Sequence, residues 1–268
     1  MRAAYSAGSY DKVAALEADA AERLVLRVDV RQETDVLDVG TGTGNLAIPA
    51  AQAGARVVGL DLSAAQLEAA QRRAGQARVV VQWIVGDAEA LPFPDASFDH
   101  VMSAFAVMFA PRHNRAAREL VRVCRPSGRI AICSWTPASI VGELMEILSA
   151  ALPPPPAYAL PPLLWGTREH IEELFAGTGI KLSFSVDSVL YEFASPDVYV
   201  SFFEANFGPL VLAKRFLSAQ GSWNQVRGLM IALITERNVA VDGSFRALHE
   251  YLVVIGDKLG NRRQGIAS

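Results

Sequence analysis

The chain is predicted to be an α/β protein, with a mostly parallel sheet, helices on both faces and a helical insertion near its C-terminal end. Three observations predict this. Short apolar runs alternate with helical patterns through the first half of the chain, the order expected when parallel strands are joined by helical crossovers. One such run, Val36-Leu37, feeds a glycine turn, Asp38-Val39-Gly40-Thr41-Gly42-Thr43-Gly44, that opens onto the helix-forming Leu46-Ala47-Ile48. The two runs that follow also end on acids, Asp61 and Asp87.

The elements follow in order. Asp11 to Arg27 carries Val13, Leu16, Ala20 and Leu24 at helical spacing and should pack before the first strand. The second strand, Ala55 to Leu60, stops at Asp61, and Ser63 with Gln66 forms a capping box for the next helix. Arg78 to Val85 is predicted as the third strand and Phe98 to Phe105 as the fourth. A helix over Arg115 to Arg125 and a turn at Ser127-Gly128 lead into a fifth strand, Arg129 to Trp135. Pro153 to Pro162 breaks the rhythm and is expected to be an extended loop over the site. Glu169 to Phe175 reads as a short helix and Lys181 to Phe193 as a strand. Ser195-Pro196 opens another helix, with serine at the cap and proline in the first turn. Trp223, Val226, Leu229, Met230, Leu233 and Ile234 make one apolar helix face, and Ser244 to Ile255 returns to strand.

This order divides the chain into an N-terminal helical segment (1–32), a ligand-binding core (33–136), a part that completes the sheet and caps the site (137–260), and a flexible tail (261–268). At 268 residues there is material for one packed domain with an added lobe. Although 51% of residues are hydrophobic, no stretch of about eighteen runs free of charge or proline, so a membrane span is not expected. Met1 to Tyr5 lacks an apolar signal core, which points to the cytoplasm. Cys124 and Cys133, expected in a helix and a strand, read as small buried hydrophobes, and no metal site is expected. A formal charge of −3 gives no basic footprint for nucleic acid. Arg72-Arg73 and Arg262-Arg263 are expected to be solvated.

The glycine turn carries the chemistry. Gly40, Gly42 and Gly44 let the backbone reverse tightly and approach a ligand where a Cβ would collide. A dinucleotide turn, G-x-G-x-x-G, would need glycine where this chain has Asn45. The strand also ends on Asp38, and a carboxylate there suits a cationic ligand better than a pyrophosphate. S-adenosylmethionine (SAM) carries an ammonium and a sulfonium and no phosphate. Asp61, about twenty residues after the first glycine, is placed to accept from ribose hydroxyls. Asp87, with the backbone of Ala88, is placed to read an adenine edge. Singly, each acid reads as a helix cap or a solvated turn residue.

These segments resemble the class I SAM-dependent methyltransferases of the ubiquinone/menaquinone-biosynthesis type. The matching stretches are Val36 to Asn45, Gly59-Leu60-Asp61-Leu62-Ser63, Gly86-Asp87-Ala88-Glu89-Ala90-Leu91-Pro92-Phe93, Ser97-Phe98-Asp99 and Glu119 to Gly128. Pro153 to Pro156, Trp165-Gly166 and Glu250-Tyr251-Leu252 are also similar to a group of uncharacterised actinobacterial-type methyltransferases. The resemblance implies a Rossmann-like sheet, SAM as cofactor and a small-molecule methyl acceptor. It further implies that Asp38 and Gly40, Thr41, Gly42 through Gly44 line the methionine part. Asp61 would hold the ribose, Leu62 would pack on the adenine, and Asp87 with Ala88 would read its edge. Ser103 falls where the family places backbone contacts near the reactive methyl. Two residues depart from the pattern. Ser127 replaces the first glycine of a P-G-G turn, and Met108 stands near where many relatives carry a histidine.

The expected reaction is methyl transfer to an oxygen or carbon of a small, fairly apolar molecule such as a quinone precursor, a polyketide or another secondary metabolite. The alternatives are a non-catalytic SAM-binding scaffold or sensor and an NAD-dependent oxidoreductase, the latter disfavoured by Asn45 and Asp87. His113, after the fourth-strand loop, is the candidate base, weighed against a solvated residue in a first helical turn. His170 is a second candidate, while His100 and His249 fall within strands. Tyr158, Trp165, Phe203 and Phe207 are candidates for an apolar substrate wall or for plain core.

Overall fold

The structure, a computed structural model, describes residues 10–260. Met1 to Tyr5 and the arginines at 262 and 263 lie outside the described residues. One seven-stranded sheet has the order β3-β2-β1-β4-β5-β7-β6. It comprises β1 (Asp35–Val39), β2 (Arg56–Asp61), β3 (Gln82–Val85), β4 (Phe98–Ala104), β5 (Cys124–Trp135), β6 (Ile180–Phe193) and β7 (Phe245–Lys258). The first five pair in parallel, and β7 runs antiparallel to both β5 and β6. The order turns back at β1, whose neighbours are β2 and β4. A crevice opens outside the carboxyl ends of the strands at such a reversal, and the glycine turn sits there.

Helices cover both faces. They are α1 (Tyr10–Arg27), α2 (Ala47–Gln52), α3 (Ala64–Ala77), α4 (His113–Val123), α5 (Ile140–Ala151) and α6 (Arg168–Leu174). Three more, α7 (Pro196–Asn206), α8 (Gly208–Ala219) and α9 (Trp223–Glu236), stand between β6 and β7, as the expected helical insertion. Val36, Leu37, Val101 and Ala131 are fully buried in the central strands, which have no solvent face to alternate with. No described helix is long and apolar enough to cross a membrane.

Several boundaries differ from expectation for local reasons. Helix α3 runs to Ala77, and Arg78 caps it with a left-handed φ of 58°, so β3 starts only at Gln82. Helix α4 ends at Val123, which puts Cys124 on β5. Burial raises the Cys124 thiol to about 11 and also raises that of Cys133, so both are poor thiolates. The proline-rich stretch packs beside the loop after β4 rather than over the crevice. There Leu160 N–H donates to Pro111 O at 3.0 Å, and the Arg112 guanidinium lies 4.2 Å above the Tyr158 ring. Its last residue, Pro162, begins a short 3-10 helix that ends at Gly166 and buries Trp165.

Candidate donor and acceptor site

The glycine turn is built by backbone geometry that side chains would spoil. Gly40, Gly42 and Gly44 have φ values of 71°, 54° and 86°. A Cβ on Gly40 would overlap the Cβ of Ala106 in the loop after β4. One on Gly44 would press on Ile48 and Trp83, so this glycine serves packing and does not face the crevice. Asp38, 1% exposed, uses Oδ2 to accept from Thr41 Oγ1 at 2.6 Å and from Ala47 N–H at 3.1 Å. It thereby ties the turn to the start of α2. Burial, with the nearby Asp61 charge, raises the Asp38 carboxyl to about 7 despite these hydrogen bonds.

Asp61 closes the opposite side of the turn. Its two oxygens accept from Gly42 N–H at 2.9 Å and from Ser63 N–H at 2.8 Å. Burial raises its carboxyl, and those amides pull it back down. Asp61, Leu62, Asp87, Ala88, Gly40 and Gly42 all line one cavity of about 730 Å³. Asp38 and Thr41 border a smaller adjoining compartment with Gly40 and Gly42. Ser103 does not reach either space: its hydroxyl donates to Val39 O at 2.7 Å and accepts from Val107 N–H at 3.0 Å, fixing the loop after β4 to β1. The loop residues that do line the cavity come just after it, Phe105, Ala106 and Val107.

A third cavity, about 660 Å³, adjoins the first two. Tyr10 and Phe105 border all three, and Phe109 borders the first and third. Its walls come from α1, α5 and the inserted helices, and include Trp135, Leu144, Met145, Phe203, Phe207 and Met230. Phe203 and Phe207 are therefore cavity wall, whereas Tyr158 and Trp165 are not. At the edge of this wall Tyr199 Oη lies 3.0 Å from His249 Nε2, and Tyr191 stacks on the same imidazole at 4.1 Å.

His113 is placed elsewhere. It is fully buried, its Nδ1 2.9 Å from His170 Nε2 and its ring 5.6 Å from that of Trp165. It borders none of the three cavities, and it is not solvated either. Met108 is likewise buried core. Among the described residues no three His, Cys, Asp or Glu side chains are grouped to hold a metal.

Three site residues escaped the sequence reading. Asn45 was informative there only as a missing glycine. Its Nδ2 donates to Ala14 O at 2.6 Å, and its Oδ1 accepts from Arg73 at 2.8 Å, so it joins α1, the turn and α3. Arg73 also donates to Thr43 O and Oγ1, each at 2.8 Å, so it is a turn anchor and not a solvated arginine. Glu17 was missed too, although a carboxylate on the apolar stripe of α1, beside Val13, Ala14, Ala20 and Ala21, is a visible signal.

The crevice fits SAM better than a dinucleotide. The close approach of Gly40 to Ala106 leaves no room for a side chain, and the cavity carries Asp61 and Asp87 with no lysine or arginine among its lining residues. That favours a phosphate-free, cationic nucleoside. The comparisons with known proteins agree. A methyltransferase-domain family matches residues 37–132. An uncharacterised protein of Mycobacterium bovis is 39% identical over 196 residues, 73% of this chain and 72% of that one. A malonyl-[acyl-carrier protein] O-methyltransferase of Serratia marcescens is 35% identical over 135 residues, 50% of this chain and 51% of that one. The crystal structure of the YcgJ protein from Bacillus subtilis superposes with a TM-score of 0.62 at 19% identity, covering 90% of this chain and 98% of that one. The glycine turn with its acids and this family match lead to one conclusion: the chain belongs to the class I SAM-dependent methyltransferases.

Proposed function

We propose that the enzyme transfers the methyl group of SAM to an oxygen or carbon of a small, largely apolar molecule, of the kind of a quinone precursor, a polyketide or another secondary metabolite. The observation that carries this reading is the apolar cavity, which meets the glycine-turn crevice at Tyr10 and Phe105. In it, residues 33–136 act as the donor core and 137–260 complete the sheet and roof the acceptor. Asp61 takes the ribose, Leu62 the adenine face, and Asp87 with Ala88 the adenine edge. Asp38, Thr41 and Gly42 serve the methionine end, Asp38 as a counter-charge.

SAM, when bound, supplies a methyl group already activated by its sulfonium. The protein's task is then to aim the acceptor and exclude water. Phe105, stacked 4.2 Å from Trp135, and the aromatic and aliphatic side chains of α5 and α7 are suited to that exclusion.

The test is transfer of a radioactive methyl group from SAM into a metabolite extract, followed by fractionation. Label in a small, organic-extractable product is the expected result. Label confined to protein or nucleic acid overturns the reading.

A further inference from the structure

Three polar side chains of the apolar cavity cluster together. Glu17, 9% exposed, borders both this cavity and the compartment beside Asp38 and Thr41. Tyr10 hydrogen-bonds its carboxyl, and Tyr191 faces it from β6 closely enough for their charges to interact. No lysine, arginine or histidine is among the residues that line the cavity. A buried acid without a cation is costly, and the fold does nothing to let it escape. Helix α1 is pinned on both sides of it: Asn45 holds Ala14 O, Arg23 donates to Ser188 O at 2.8 Å, and Arg27 pairs with Asp187 at 2.7 Å.

We propose that Glu17 selects the acceptor, which is an uncharged, mainly apolar molecule presenting a hydroxyl group to the Glu17 carboxylate and losing its proton there. This rests on the reading of the cavity as the acceptor site. A carboxylate or phosphate acceptor would meet a buried like charge with no cation to offset it. A neutral hydroxyl instead gives the carboxylate a second donor beside Tyr10. As the oxygen forms its bond to the methyl carbon, the carbon–sulfur bond breaks onto sulfur. The O–H bond breaks onto oxygen, and its proton passes to Glu17 and later to solvent. Burial, opposed by the Tyr10 hydrogen bond, holds this carboxyl at about 8, so the ionised form that repels an anion and takes the proton is the main one above that pH.

Calorimetry at pH 9, where Glu17 is ionised, with 2-naphthol and 2-naphthoate on protein saturated with S-adenosylhomocysteine tests the selection. The wild type is expected to bind the naphthol at least tenfold more tightly than the naphthoate. Glu17→Leu should reduce that ratio below threefold. Glu17→Gln should keep naphthol affinity within threefold yet form 2-methoxynaphthalene from SAM at less than a tenth of the wild-type rate. A wild type that prefers the naphthoate, a ratio unchanged in Glu17→Leu, or equal rates in Glu17→Gln overturns the proposal. So does a tenfold loss of S-adenosylhomocysteine affinity in Glu17→Gln, which would make Glu17 a donor ligand. Normal S-adenosylhomocysteine binding with neither naphthalene bound overturns the acceptor-cavity reading itself.

Discussion

The guanidinium of Arg122 holds the carbonyl oxygen of Leu91 at 2.9 Å. It also donates to Phe93 O at 2.6 Å, while Glu119, one turn earlier on α4, accepts from Leu91 N–H at 2.7 Å. The pair grips the segment that follows Asp87 by its backbone, so two motifs distant in sequence form one clamp. Arg122→Ala is expected to lower unfolding free energy by about 2 kcal/mol, since it strips charged donors from two carbonyls. S-adenosylhomocysteine should bind several-fold more weakly as the Asp87 loop loosens. Arg122→Lys restores the charge without the fork and should recover less than half of the stability. Urea unfolding and calorimetry measure both effects.

Asp61→Ala should weaken S-adenosylhomocysteine binding by ten- to a hundredfold, on the order of 1.5–3 kcal/mol for charged hydrogen bonds. An unchanged affinity in calorimetry would refute its placement at the ribose.

With Asp38 as the proposed counter-charge to the ligand's amino group, binding is expected to depend on pH. The Asp38 carboxyl is raised to about 7 in the free protein, and a cationic amino group beside it favours the ionised form. Binding therefore releases a proton below that value. Affinity for S-adenosylhomocysteine should fall by nearly tenfold from pH 8 to pH 6, and Asp38→Asn should flatten this dependence.

Ser127 occupies a left-handed conformation, φ 64°, in the irregular stretch of β5 between Cys124 and Arg129. A side chain there costs about 1 kcal/mol. Ser127→Gly relieves that strain but adds freedom to the unfolded chain. The net expectation is a gain of roughly 0.5 kcal/mol and a melting temperature higher by about 1–2 °C.

Acid should unfold the protein partly through two imidazoles. Burial lowers both His113 and His249 to about 4, His113 with help from its neighbour His170. Each is released to an ordinary value, about 6.5, on unfolding. The unfolded chain therefore binds more protons between those values, and stability is lost as pH falls from 6.5 towards 4. His113→Gln should make the denaturation midpoint less sensitive to pH across that window.

The donor half was legible because its signals are local. The Asp38–Gly44 turn, the acids ending β2 and β3, and the Ser63 cap each depend on a few consecutive residues. What escaped depends on residues that meet only in space. Arg73 reads as surface until Thr43 and Asn45 are seen to accept from it. His113 looked exposed because a first helical turn often is, but Trp165 and His170, from beyond the proline-rich stretch, cover it. That stretch was expected over the site, yet a run of prolines fixes an extended backbone without fixing its direction. The helical insertion expected between the last two strands is α7 to α9, and Phe203, Leu210 and Met230 from it line the apolar cavity.

The inserted helices leave from the end of β6 and return at the start of β7, strands paired along their whole length from Ile180 with Lys258 to Phe193 with Phe245. They are thus an attachment with a single, self-aligned socket. Residues 194–244 supply part of the apolar cavity and none of the lining of the adjoining glycine-turn crevice. A change confined to that segment therefore reshapes the cavity proposed for the acceptor and leaves the residues of the donor crevice in place.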